Sequence, residues 1–337
     1  MNDMSYRVAV AGSCDFSVEL ARCVLGDKRF DLAFCITQPM KPAGRGKKLK
    51  KTELFEFAEE NGIPVCAVDT FKKKDPSAYV DAYGRKFDFT ELDFVFVFSF
   101  GKIVPGKFLK ATRFGWFNWH PSPLPKLRGA TPLETSILEG FEKSALCVFK
   151  MVKELDAGDL LYCKEFEISE FDTYLDLRNK VKELLRNTFS SLSERFEGYV
   201  EGKLKLVPQK GEPTYCYKFS KEDTFLTFED ANCDERKVRA FYGSLYARTI
   251  YRSVLLKVLR AHAFTEEEFK RLYRFEDVSD FSKGQVVVAD ARRGELVVKC
   301  ADGFLKLVEI QPAGKRVMDA RSFLNGYRVK VGDRFGI

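Results

Sequence analysis

Arg7-Val-Ala-Val-Ala-Gly12 is a run of small apolar residues ending in glycine, and Asp15 to Leu25 follows it with apolar residues at helical spacing. That order predicts a buried strand, a glycine turn and a helix. The alternation continues: Leu32 to Thr37 reads as a strand, Thr52 to Asn61 as a helix closed by Gly62, and Pro64 to Val68 as a short strand. Phe94 to Ser99, Gly115 to Asn118 and Leu146 to Val152 are further apolar strands. Strands that alternate with helices predict βαβ units and an α/β fold with a mostly parallel sheet, buried on both faces. In such sheets ligands bind beyond the carboxyl ends of the strands, so the polar residues there are the candidates for function.

After Asp172 the pattern changes. Leu175 to Tyr199 reads as one long amphipathic helix, and Gly202 to Pro213 is basic and turn-rich, as a linker would be. Gly284 to Ala289, Glu295 to Cys300 and Phe304 to Ile310 are short strands split by turns, which predicts a small β-barrel. With 337 residues the chain is long enough for two such cores. Its 32 phenylalanines predict aromatic cores and carry no functional reading.

The net charge of +7 favours an anionic partner without requiring one, and the densest basic run lies between Lys41 and Lys51. From charge alone that run reads as a solvated surface. Nine cysteines without a C-x-x-C argue against a disulfide scaffold and a structural zinc site; most should be small buried apolar residues in a reducing compartment. No apolar stretch of about 18 residues occurs, and the first residues carry no leader pattern. The expected setting is cytoplasmic, with no membrane association.

The first turn, Gly12-Ser-Cys-Asp-Phe16, lacks a dinucleotide fingerprint, and no phosphate-binding G-x-x-x-x-G-K-[ST] appears. There are two histidines, so a multi-histidine metal site is excluded. His262 reads as structural or surface. His120 ends Phe117-Asn118-Trp119-His120, directly after a strand, and residues 118 and 120 point to the same face. An amide donor and an imidazole thus emerge together. Pro121, Pro123 and Pro125 stiffen the loop that follows, and preorganised donors are what a developing oxyanion needs. Asp156, in Glu154-Leu-Asp-Ala-Gly-Asp159, could bring a carboxylate beside His120 to fix its tautomer. Taken by themselves, these residues leave a catalytic triple and a plain histidine-capped strand end both open.

Five segments decide between them: Thr37-Gln-Pro-Met-Lys-Pro-Ala-Gly-Arg-Gly-Lys-Lys-Leu49, Ser99-Phe-Gly-Lys-Ile-Val-Pro105, Asn118-Trp-His-Pro-Ser-Pro-Leu-Pro-Lys-Leu-Arg-Gly-Ala-Thr-Pro132, Glu154-Leu-Asp-Ala-Gly-Asp-Leu160 and Ile310-Gln-Pro-Ala-Gly-Lys-Arg-Val-Met318. In this order the chain resembles the folate-dependent formyltransferases. Asn-x-His and Leu-Asp-x-Gly mark the superfamily, while the basic loop and the late Gln-Pro-Ala-Gly-Lys segment resemble its methionyl-tRNA branch.

The resemblance implies a Rossmann-like catalytic domain over residues 1–200, a linker over 201–213 and an OB-like tRNA-binding domain over 214–337. It implies 10-formyltetrahydrofolate as donor, methionyl initiator tRNA as acceptor, no metal and a monomer. Asn118, His120 and Asp156 are then the catalytic residues. The folate would lie against Phe100, Gly101, Lys102, Ile103, Leu155 and Asp159, and against Ser122, Pro123, Leu124 and Pro125. Arg45, Lys47 and Lys48 would meet the acceptor end of the tRNA, with Lys315 and Arg316 on phosphates. Three positions depart from the family pattern: Pro123 stands where Leu is usual, Ser13-Cys14 where Thr-Pro is usual, and Arg239-Ala-Phe241 continues into Tyr-Gly-Ser-Leu. A sugar-nucleotide N-formyltransferase and a formyltetrahydrofolate hydrolase would share the triple.

Overall fold

The computed structural model describes residues 5–43, 48–275 and 277–336. The chain forms two compact units: Met1–Pro132, Lys143–Phe166 and Asn179–Cys216 make the first, and Leu133–Glu142, Glu167–Arg178 and Tyr217–Ile337 the second.

The first unit is built on β1 (Tyr6–Gly12), α1 (Asp15–Leu25), β2 (Phe30–Thr37), α2 (Glu53–Glu60), β3 (Val65–Ala67), β4 (Phe94–Phe98), β5 (Gly115–His120), β6 (Lys143–Lys150) and β7 (Leu160–Glu167), followed by the long helix α3 (Tyr174–Val200). The strands form one sheet in the order β7-β6-β5-β4-β1-β2-β3. β1, β2, β3, β4 and β5 are mutually parallel, and β6 runs antiparallel to β5. The sheet is thus mostly parallel, with the apolar strands that burial on two faces demands.

The phenylalanines explain the two faces. On one, Phe196 of α3 packs its ring 5.2 Å from Phe94, 4.9 Å from Phe96 and 5.0 Å from Phe117. On the other, Phe71, Phe89, Phe108 and Trp116 close a second aromatic cluster. Phe196 is 1% exposed. Phe196→Ala is therefore expected to destabilise the first unit by about 3–5 kcal/mol, read as a lower denaturation midpoint.

In the second unit, α4 (Ala231–Ala240) precedes β8 (Ala247–Tyr251), β9 (Val254–Thr265), α5 (Glu266–Tyr273), β10 (Val286–Asp290), β11 (Glu295–Lys299), β12 (Gly303–Pro312), α6 (Ala320–Tyr327) and β13 (Phe335–Gly336). The sheet is antiparallel in the order β10-β11-β12-β9-β8-β13. Its ends meet: Val286 N–H donates to the Asp333 carbonyl, and Phe335 N–H to the Gly284 carbonyl, each at 2.8 Å. The sheet therefore curls toward a barrel, helped by register shifts in β9 at Val258–Ala261 that bend the strand. Leu256, Val258, Leu305 and Leu307 fill the interior.

Cys35, Cys66, Cys216 and Cys300 are buried. One pair departs from the expectation of unlinked cysteines: Cys147 on β6 and Cys163 on β7 form a disulfide. Their spacing in the sequence gives no hint of this, because only the pairing of the two strands sets them side by side. Among the described residues no helix is long and apolar enough to cross a membrane, and no group of three or more His, Cys, Asp or Glu could hold a metal ion.

Candidate active site

β5 carries the first two candidate residues. Val97 of β4 and Phe149 of β6 are the ladder partners of Asn118, and Cys147 is that of His120. Trp119 turns to the α3 face, with its ring 5.2 Å from Phe96. Asn118 and His120, one residue to either side, therefore share the opposite face. The period-2 reading holds in the structure.

Asp156 reaches the same place by a return path. β6 is antiparallel to β5, passes His120 at Cys147 and ends with Lys150 opposite Phe117, so the chain leaves the sheet three residues past the His120 level. It must fold back over the sheet face. The turn does so tightly: Asp156 adopts φ +48°, and a Cβ on Gly158 would lie 1.7 Å from the Lys150 carbonyl oxygen. The result sets Asp156 Oδ2 3.7 Å from His120 Nδ1, with the two side chains 12% and 5% exposed.

The other ring nitrogen is committed. His120 Nε2 lies 2.9 Å from the Leu127 carbonyl oxygen, which can only accept, so Nε2 carries the proton. Both ring nitrogens thus face acceptors, a carbonyl at 2.9 Å and a carboxylate at 3.7 Å. Asp156 Oδ2 also accepts from the Gly129 N–H at 2.8 Å. The Asn118 carboxamide has no hydrogen-bond partner among the described residues and is only half-buried. The arrangement offers one uncommitted amide donor beside an oriented imidazole–carboxylate pair. That combination can stabilise an oxyanion and move a proton.

The remaining predicted residues are spread around this centre. The loop after β4 starts next to Val97, the Asn118 partner, and holds Ser99 at φ +55° and Gly101 at φ +68°. Phe100 is buried, and its carbonyl accepts from Gln38 Nε2 at 3.1 Å. Lys102 Nζ donates to the Asp69 carbonyl, while Ile103 is 93% exposed. Leu155 is also exposed, and the Asp159 carbonyl accepts from the Lys150 N–H.

In the proline loop, Ser122 is buried with its hydroxyl on the Lys126 carbonyl, and Leu124 packs on Ala145, Cys147 and Phe149. These two side chains hold the loop's own shape. Pro123 is half-buried, and the buried Pro125 offers its carbonyl to the Thr214 N–H. In the second unit Lys315 and Arg316 stand exposed on a turn, without an ion pair among the described residues. Arg239 is held by Glu235 at 2.7 Å and by the Asp172 carbonyl. Arg45 and Lys47 lie outside the described residues; Lys48 begins a short strand paired with Lys41–Ala43, and its side chain is likewise outside them.

Four further residues frame the site. Arg128 donates through Nε and Nη2 to Gln209 Oε1, at 3.2 and 2.7 Å. Gln209 Nε2 in turn donates to the Asp156 and Gly158 carbonyls. The Thr214 hydroxyl accepts from the Leu127 N–H, and Cys216 pairs with Gly129 so closely that a Cβ there would lie 2.1 Å from the Cys216 carbonyl oxygen. Gln209 falls in the stretch read as a linker. Its partners are main-chain carbonyls some fifty positions away, which leave no mark on the local sequence.

Residues 6–192 match the family described as formyl transferase, and residues 218–328 match its C-terminal domain. A protein from Bacillus mycoides named methionyl-tRNA formyltransferase is 31% identical over 98% of this chain and 98% of its own. One of the same name from Sulfurihydrogenibium is 29% identical, covering 98% of this chain and 99% of that one. Among solved structures, the N-formyltransferase from Helicobacter canadensis, in complex with folinic acid and dTDP-3-aminofucose, superposes with a TM-score of 0.61 at 16% identity, over 92% of this chain and 100% of that one.

Proposed function

The chain belongs to the formyl transferase family, and we propose that it transfers the formyl group of 10-formyltetrahydrofolate to the α-amine of methionyl initiator tRNA. The observation that carries this reading is the likeness to methionyl-tRNA formyltransferases over nearly the full length of both chains. The likeness to the Helicobacter canadensis N-formyltransferase, at 16% identity, speaks for the fold alone.

In the proposed reaction the neutral amine attacks the formyl carbon, and negative charge develops on the former carbonyl oxygen. Asn118 donates to that oxygen through its free amide. His120, anchored by Nε2 on Leu127, keeps Nδ1 at the Asp156 carboxylate, where a proton can be held and passed on. The new bond joins the formyl carbon to the amine; the bond that breaks joins it to the folate nitrogen. The proton lost by the amine ends on that nitrogen. Asp156 balances the charge on the imidazole throughout.

The folate is assigned to the loop Phe100–Ile103, to Leu155 and Asp159, and to the backbone of Ser122–Pro125. Two exposed apolar side chains, Ile103 and Leu155, suit contact with an aromatic ligand. Arg45, Lys47, Lys48, Lys315 and Arg316 are assigned to the tRNA, and neutralising any one that meets a phosphate would lower the salt dependence of binding. Residues 1–200 then serve as the catalytic domain, 201–213 as the linker and 214–337 as the tRNA-binding domain. On this reading the protein acts as a monomer in the cytoplasm.

The test is a direct assay with 10-formyltetrahydrofolate and either methionyl initiator tRNA or an amino-sugar nucleotide. Formyl-methionine on the tRNA is expected. Formylation of the sugar alone, or release of free formate without transfer, would overturn the assignment.

A further inference from the structure

We infer that Gln209 is a positioning residue for formyl transfer, holding the Asp156 turn in register with His120; this rests on the reaction proposed above. The carboxamide uses its whole hydrogen-bonding capacity at this point. Nε2 donates at 2.8 Å to the carbonyl of Asp156 and at 2.8 Å to that of Gly158. Oε1 accepts twice from the Arg128 guanidinium. A primary amide has two N–H donors and two acceptor lone pairs, and all four are occupied.

What these bonds join matters more than their number. Arg128 lies between Leu127, whose carbonyl holds His120 Nε2, and Gly129, whose N–H holds Asp156 Oδ2. Gly129 fixes the side chain of Asp156. Gln209 fixes its main chain, and refers it to the same short loop. His120 and Asp156, brought from opposite ends of the β5–β6 pair, are thereby set against one frame. Asp156 sits in the left-handed region at φ +48°, which residues other than glycine adopt reluctantly, so the turn depends on what holds it. Among the described residues no other hydrogen bond reaches the carbonyl oxygen of Asp156 or Gly158. A neutral amide suits the place. A glutamate could reach as far and keep one oxygen on the Arg128 guanidinium, but it would turn the other, with no proton to give, toward two carbonyl oxygens.

The experiment measures initial rates of formyl-methionyl-tRNA formation for the wild-type chain, Gln209→Met, Gln209→Glu, Asp156→Asn and the double variant Asp156→Asn with Gln209→Met. Methionine keeps the length and loses every hydrogen bond. The expected result is a kcat lowered about 10- to 100-fold with KM for both substrates within about twofold, as for a small misplacement of a catalytic group. The double variant should be no slower than Asp156→Asn alone, because Gln209 acts through Asp156. Gln209→Glu should be slow at pH 8 and recover relative to wild type toward pH 4, the low end of the carboxyl range because Arg128 favours its charge, as the carboxyl gains a proton and donates again. A Gln209→Met kcat within about twofold of wild type, or losses that multiply in the double variant, would overturn the inference while leaving formyl transfer standing. If Gln209→Met does not fold, Gln209→Glu decides alone: recovery at low pH supports the inference and no recovery defeats it. A wild-type chain without activity takes both readings down.

Discussion

Asn118→Ala is expected to lower kcat for formyl transfer by about 100- to 1,000-fold, with KM nearly unchanged and the fold intact. The size follows from what the amide is for. Its donors are free among the described residues, so no hydrogen bond within the protein is broken by removing them. The main chain of Asn118 stays in its ladder between Val97 and Phe149. Stability should therefore change by no more than about 1 kcal/mol, the ordinary effect of trimming a half-exposed polar side chain. What disappears is a donor already in place when the oxyanion forms, and such a donor acts on the transition state more than on the bound substrate. Asn118→Asp is the sharper companion. It keeps the shape but sets a carboxylate where negative charge must grow, so it should be slower still. A kcat within tenfold of wild type for both variants would remove Asn118 from the proposed mechanism.

The parts of this protein that can be read in its sequence are those in which each residue's role depends on its near neighbours. Phe94 to Phe98 is buried at every position, so its apolar run announces a strand covered on both sides. Asn118 and His120 share a face because a strand alternates, and that needs only two residues of spacing. Asp156 is legible as a turn. Its arrival beside His120 is not, because it depends on β6 running antiparallel and on a loop that folds back along the sheet. The same holds for Gln209, whose surroundings are polar and turn-rich while its partners are distant carbonyls. Cys147 and Cys163 meet only through the pairing of β6 with β7. In the second unit the strands between Gly284 and Ile310 stand out between glycine turns. β9, the longest strand there, does not, because its register shifts at Val258–Ala261 break the alternation that marks a strand.

Gly158→Ala should then be among the most damaging single-methyl changes in the chain. The added Cβ would lie 1.7 Å from the Lys150 carbonyl oxygen and the new side chain would press on Phe149, which is 3.2 Å away. The obstacle is main chain, so no rotamer change relieves it. The turn must lift from the end of β6, and several bonds go with it: the Lys150 N–H to the Asp159 carbonyl, and the Gln209 amide to the carbonyls of Asp156 and Gly158. A loss of about 2–4 kcal/mol of stability is expected, in the range of other steric insertions into packed sites. Catalysis should suffer more than stability. His120 and Asp156 are 3.7 Å apart already, and a further ångström weakens the pair that carries the proton. Turnover should fall by about 100-fold even where the protein is still folded. Asp156→Asn supplies the scale: the kcat of a folded Gly158→Ala protein should approach that of Asp156→Asn, because both take the carboxylate from His120. Unchanged turnover with unchanged thermal unfolding would mean that the turn does not press on β6, and the route by which Asp156 reaches His120 would have to be redrawn.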